Sequence, residues 1–297
     1  MRTIRAGVTG DKGSVLQIQL SSYAYVINTE TEVVNLFSAT ETKTLTGYYL
    51  LASNVKVSTL DSGEKLTFAG VFDGNGYKLT VPMRAYGLFG RLTGQVKNAW
   101  IEFSNVRNIN DYDGNNLLAY SGGSQFKVDG EVCNTLENLY ITIDEDTFNK
   151  ELDGTVSENT LTNFSLMCNV NSAIKIQNII VDYANLLPAE YTKNQGLLVQ
   201  YYTNPSDTEY WQTMSNFKEI YFISSTLKCL SNKSNTVKLY ATNDADKVEQ
   251  GATKQFVAKN IYRYDNWEKF NQAGHTFANF ASEYWTIENN TICWKNK

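Results

Sequence analysis

Read for its apolar and polar positions, the chain shows one pattern above others: an apolar residue at every second position over five short runs, four of them opened by Asn. Val96 to Phe103, Leu136 to Ile143, Ile176 to Tyr183, Phe217 to Ser224 and Ala258 to Tyr264 align without gaps. Their third positions are residues 98, 138, 178, 219 and 260, giving steps of 40, 40, 41 and 41 residues. Alternation puts Ala99, Ile101 and Phe103, then Leu139, Ile141 and Ile143, then Ile179, Val181 and Tyr183 on one face of a strand. That face is core. Repetition at a fixed period predicts stacked, similar units.

The Asn that opens four of the five units, at Asn98, Asn138, Asn178 and Asn260, suits a corner. Asn tolerates the left-handed conformation, and its amide can bond its counterpart in the next unit, so a structural corner ladder is expected. Unit five carries Arg263 at an inward position, the irregularity of a terminal unit. A second apolar segment recurs between units at variable spacing (Leu117 to Tyr120, Phe164 to Met167, Gly196 to Val199, Val237 to Tyr240), which implies loops of varying length on a constant core. The fold class expected is all-β: a parallel β-helix, or solenoid, with coils of about 40 residues and long loop excursions. Residues 1–265 form the helix with its lead-in strands, and 266–297 a C-terminal capping segment, in one structural domain.

Composition agrees with strands, since 13% of residues are aromatic and 42% hydrophobic, with Tyr the commonest ring. The net charge of −5 comes without a basic run, which argues against nucleic acid as a partner. No stretch of about 20 apolar residues is present to span a bilayer, and residues 1–20 lack the apolar run of a signal peptide. Cys133, Cys168, Cys229 and Cys293 lie too far apart for a zinc motif and leave the disulfide state open.

Asp73-Gly74-Asn75-Gly76 is a turn signal between strand-like runs. It lies within Phe68-Ala69-Gly70-Val71-Phe72-Asp73-Gly74-Asn75-Gly76, followed by Tyr86-Gly87-Leu88-Phe89-Gly90-Arg91-Leu92-Thr93-Gly94-Gln95-Val96-Lys97-Asn98. Together these resemble the adhesin-like bacterial surface proteins of the GLUG-motif type, whose repeats read F-x-G-x-F-D-G-N-G and then G-L-F-G-x-L-x-G-x-V-x-N. Residues 29–37 and 47–57 resemble that family's lead-in segment and first strand. The tail, with Trp267, His275, Phe277, Phe280, Tyr284, Trp285 and Trp294, resembles its closing segment. The resemblance implies a right-handed parallel β-helix in an extracellular, cell-surface setting, and names no substrate.

Candidate chemistry is sparse. His275 is the single histidine and sits in an aromatic segment, so packing is its expected role. Polysaccharide cleavage needs two acids on one face. Asp182 faces outward with Thr142 and Ile223 as its register neighbours, and the Asp-Asp pair and Gly-His-Gly motif of polygalacturonase-like helices are missing. Enzymatic lyase or glycosidase activity is therefore the lesser alternative, with no catalytic residue assigned. Asp111, Asp113 and Asn115 alternate oxygen ligands around Gly114, as a calcium loop does, but lack its closing Glu. By alternation Trp100, Tyr140, Ile180, Tyr221 and Tyr262 stack on the outer face, an aromatic stripe that either binds a glycan or a host or surface protein, or is covered by the loop excursions as a second small core. Of these, Trp100, Tyr140, Tyr221 and Tyr262 are the candidate binding residues. The expected function is a non-enzymatic surface adhesion module; a virion fibre or decoration protein, which would form homo-oligomers, is a further alternative.

Overall fold

A computed structural model describes residues 24–104, 115–122, 127–128, 131–132, 135–144, 164–170, 174–184, 196–202, 217–225, 229–233, 237–247, 254–289, 291–295 and 297. Within them, strands gather chiefly into two large parallel sheets. The longer, ten-stranded sheet runs through Ala24–Ile27, Tyr48–Leu51, Val71–Asp73, Gln95–Ser104, Leu136–Ile143, Ile176–Asp182, Phe217–Ile223 and Ile261–Tyr264, with Val55–Lys56 and Lys78–Pro82 joining it at Gln95–Ser104. The six-stranded sheet holds Lys43–Leu45, Leu66–Phe68, Arg91–Leu92, Asn115–Gly122, Phe164–Val170 and Val199–Tyr202.

The aligned runs of the sequence are neighbours in the long sheet. Trp100 faces Tyr140, Tyr140 faces Ile180, Ile180 faces Tyr221 and Tyr221 faces Tyr262. Their inward neighbours, Ile101, Ile141, Val181, Phe222, Ala99, Leu139, Ile179 and Ile220, are buried without exposure. They form one apolar cluster with Phe68, Leu92, Leu118, Met167 and Val199 from the shorter sheet. Each such Ile or Leu contributes about 1.5–3 kcal/mol on leaving water, so this layer is the main source of stability.

The structure departs from the expected fold class in two respects. First, the chain is not a right-handed parallel β-helix of even 40-residue coils: with 51% of it in strand it is mostly β, but its strands divide into two parallel sheets of unequal size. Smaller sheets stand beside these, among them the antiparallel pairs Lys127–Val128 with Glu131–Val132 and Trp285–Glu288 with Thr291–Trp294. The step between neighbouring strands also changes, from 24 residues between Tyr25 and Tyr49 to 40 between Tyr140 and Ile180. An even repeat tells which strands are neighbours; it does not tell how the chain travels between them, because any crossover of about a dozen residues or more can join parallel strands.

Second, the chain is not all-β. Glu30–Phe37 is helical, started by a capping box in which Thr29 accepts from the Glu32 amide while the Glu32 carboxylate accepts from the Thr29 amide. Trp267–Gln272 is a second helix, with Asn266 as N-cap. The C-terminal tail lies across the outer face of the long sheet and runs back to the turn at residues 73–76, where the Trp294 indole donates to Gly76 O at 3.2 Å and Lys297 Nζ to Asn75 Oδ1 at 3.1 Å.

The aligned strands each carry one residue of positive φ, inside the strand at Asn98 (54°), Asn138 (48°), Asn178 (55°) and Glu219 (53°) and just ahead of it at Asn260 (62°). Asn138 Nδ2 donates to Asn98 Oδ1 and Asn178 Nδ2 to Asn138 Oδ1, both at 3.3 Å. At the fourth such position a carboxylate replaces the amide, and Asn178 Oδ1 and Glu219 Oε2 are both buried without a partner. Their flanking residues are register partners, so the ladder ends at a position with acceptors and no amide donor. Nearer the N-terminus close backbone approach requires glycine: a Cβ on Gly94 would lie 2.0 Å from Gly70 O. The inward Arg263 is buried and neutralised, its Nε 2.7 Å from Asp244 Oδ2 and Nη1 2.8 Å from Asp265 Oδ1, while Nη1 also donates to Ser224 O. Isolated, that charge could not be held in the interior.

Candidate functional site

The outer face of the long sheet carries two parallel rows of side chains. One row is Lys78, Trp100, Tyr140, Ile180, Tyr221 and Tyr262; the other is Lys56, Thr80, Glu102, Thr142, Asp182, Ile223 and Tyr264. The two ends of these rows meet different surroundings. Around Tyr221 the tail closes tightly: Phe270, His275, Phe277 and Phe280 have ring centroids within 6.1 Å of the Tyr221 ring. Ile180, Tyr221 and Ile223 join Phe270, Phe277, Phe280, Trp285 and Ile292 in a second apolar core. The covering element is the C-terminal segment, where loop excursions were expected.

Of the four stripe residues assigned to binding, the structure therefore separates two pairs. Tyr221 is 2% exposed and closed off. Tyr262 stacks on it at 5.5 Å and packs against the same core. Trp100 and Tyr140 are half-buried and line a cavity of about 370 Å³. Its other walls are Trp267, Asn271, Trp285 and the strand Thr291–Trp294. Four of the five tryptophans of the chain thus border one cavity; the fifth, Trp211, lies outside the described residues.

The indole and phenol groups are fixed by their polar ends. Trp100 Nε1 donates to Thr142 Oγ1 at 2.9 Å, and Trp267 Nε1 to Asp182 Oδ2 at 2.7 Å. The Tyr140 hydroxyl lies 3.5 Å from the same Asp182 oxygen, and burial and that carboxylate push its pKa well above the ordinary tyrosine value. Burial raises Asp182 above the usual carboxylate range, opposed by its bonds from Ala184 N, Trp267 and Tyr140. Asp182 thus ties the tail to the sheet beside the cavity. Trp285 differs from the other three tryptophans: its ring stands edge-on to Trp294 at 4.8 Å and 87°, and its Nε1 is buried without a hydrogen-bond partner. Asn271 Oδ1, on another wall, is likewise buried without one.

Beyond Trp100 the face stays open. A second, polar hollow of about 390 Å³ is bordered by Asn54, Val55, Lys56, Lys78, Thr80 and Glu102. Lys78 Nζ lies 4.3 Å from the centre of the Trp100 ring and 2.8 Å from Glu102 Oε1, while Thr80 Oγ1 donates to Glu102 Oε2 at 2.9 Å. The corner residues Asn98, Asn138, Asn178 and Asn260 lie at the positions of positive φ and border neither hollow.

No family model, curated protein or solved structure matches the chain. The site must be read from its own geometry. Asp111 and Asp113 lie outside the described residues; Asn115 opens a strand of the shorter sheet, and its side chain is not described. Among the described residues no three His, Cys, Asp or Glu side chains group as metal ligands. Cys168 is buried, Cys229 half-buried and Cys293 exposed on the cavity wall, whereas Cys133 lies outside the described residues. No helix among the described residues is long and apolar enough to cross a membrane.

Alternation along the strands predicts the outward placement of Trp100 and Tyr140, whereas no periodicity marks Trp267, Trp285 and Trp294, which line the same cavity. They belong to no repeat unit. The available signal was density: three of five tryptophans fall in the last 31 residues.

Proposed function

We propose that this chain is a surface adhesion module that binds a glycan in the aromatic cavity between the long sheet and the C-terminal segment. The observation that carries the reading is the wall of four tryptophans and Tyr140, three of whose indole N–H groups are already tied to protein acceptors so that the rings are held in place. A pyranose offers apolar C–H faces, which match fixed aromatic rings, and equatorial hydroxyls, which match polar atoms at the ring edges. A protein ligand would offer no such repeat of alternate apolar and hydroxylated faces. An extracellular, cell-surface setting accords with the GLUG-type resemblance of residues 68–98.

A glycan array probed with the labelled chain and with Trp100→Ala tests this. The expected result is retention of one glycan class by the native chain and its loss in the variant. Retention unaffected by the substitution, or cleavage of the retained sugars in place of stable binding, overturns the proposal.

A further inference from the structure

The aromatic cavity does not end at Trp100. Lys78 belongs to the polar hollow, Trp100 to the aromatic cavity, and the two are register partners on adjacent strands whose side chains touch as ammonium and ring. Both hollows therefore lie along one line that crosses the strands of the open half in the order Tyr140, Trp100, Lys78 and the Val55–Lys56 strand. Three strand spacings separate the ends of that line, about 14 Å. That length exceeds a single sugar ring.

The two hollows differ in chemistry in a way that suits successive parts of one ligand. In the first, ring faces predominate. In the second, the floor presents the Lys78 ammonium, the Thr80 hydroxyl and the Glu102 carboxylate, bonded to one another and so held in position, while Asn54 and Lys56 stand exposed at its edge. Asn54 is itself fixed, because its Oδ1 accepts from the Lys78 amide at 2.7 Å, which leaves its amide nitrogen turned to other acceptors. A pre-positioned polar floor loses little entropy when a ligand arrives.

Resting on the glycan reading above, we infer that the ligand is a linear oligosaccharide or polysaccharide segment spanning both hollows, with one sugar anchored among the tryptophans and the following residues hydrogen-bonded over Lys78, Thr80, Glu102 and Asn54. The site is then an extended groove with two subsites, one apolar and one polar, and its specificity includes chain length.

The test uses length series from one to six units of gluco-, manno-, N-acetylglucosamine and galacturonate oligomers, titrated against the full chain and against the Asn54→Ala, Lys56→Ala double variant. Tryptophan emission is the readout. Affinity is expected to rise by about tenfold or more between the monosaccharide and the tetrasaccharide of the series that binds, since each tenfold step is about 1.4 kcal/mol of added contact. The double variant is expected to flatten that rise, and its melting temperature is compared with the native chain's because Asn54 also accepts from the Lys78 amide. Equal affinity at all lengths, or a rise the variant leaves intact, overturns the two-subsite groove while leaving the aromatic pocket standing. Failure of every series at every length overturns the glycan reading on which it rests.

Discussion

The two halves of the outer face are built from the same strands with the same alternation, yet one is a core and the other a groove. At Ile180, Tyr221 and Ile223 the C-terminal segment lies against the sheet and leaves almost no exposure. At Lys78, Trp100 and Glu102 the side chains are half-buried and border open hollows. The difference is already in the residue types. The covered half has Ile180 and Ile223 at outward positions, apolar side chains that gain by leaving water, whereas the open half pairs each ring with a polar neighbour: Trp100 with Thr142 and Lys78, Tyr140 with Asp182. Between the halves, Asp182 and Trp267 form the seam.

The strongest way to break the contrast is to cut matching rings from the two halves. Tyr221→Ala empties a sealed position, and should cost about 3–5 kcal/mol in denaturant unfolding. Trp100→Ala removes a half-buried ring, and should cost about 1–2 kcal/mol while abolishing glycan retention. Equal stability losses would mean that both halves are core.

A smaller effect comes from pH. His275 lies in the covered half, its Nε2 2.6 Å from the Tyr264 hydroxyl and its ring against Tyr221, Tyr262, Phe270 and Phe277, and burial lowers its pKa from 6.5. A depressed folded-state pKa means that the unfolded chain takes up the proton first. Stability is then full above about pH 6.5 and declines as pH falls through the folded-state value. Thermal unfolding followed from pH 7.5 to 5 should show that decline, and His275→Gln should remove it.

The corner at Glu219 sharpens the contrast with a gain. Glu219→Asn keeps a residue tolerant of positive φ and supplies the amide donor that Asn178 Oδ1 lacks, so stability should rise by about 1 kcal/mol. Least affected should be Lys78→Met, whose ion pair with Glu102 is partly solvated: unfolding should shift by less than about 1 kcal/mol, because exposed pairs contribute little.

What the sequence made legible was local or periodic. The 40-residue steps and the alternation of Ala99, Ile101 and Phe103 identify strand neighbours and the buried face, because period and pleat are properties of the strand itself. The path between strands was not legible, and a single even coil was the wrong generalisation. The Glu30–Phe37 helix had its signal in Thr29 and Glu32, a capping box overlooked within a chain rich in strand formers. The tail was harder. Its bond from Trp294 to Gly76 joins residues 218 apart, and no pattern of either segment announces the other. The half of the site on the sheet was thus readable, and the half on the tail was not.

On the proposed function, the open half of the face, and not the covered half, receives a sugar among the tryptophans. Tryptophan emission measured while the full chain is titrated with a glycan retained on the array tests it most directly. Occupancy of the cavity predicts a saturable change in emission that disappears in Trp100→Ala and persists in Tyr262→Phe, which alters only the covered half. Saturable retention with no change in emission, or a change that Trp100→Ala leaves intact, would place the sugar elsewhere and contradict it.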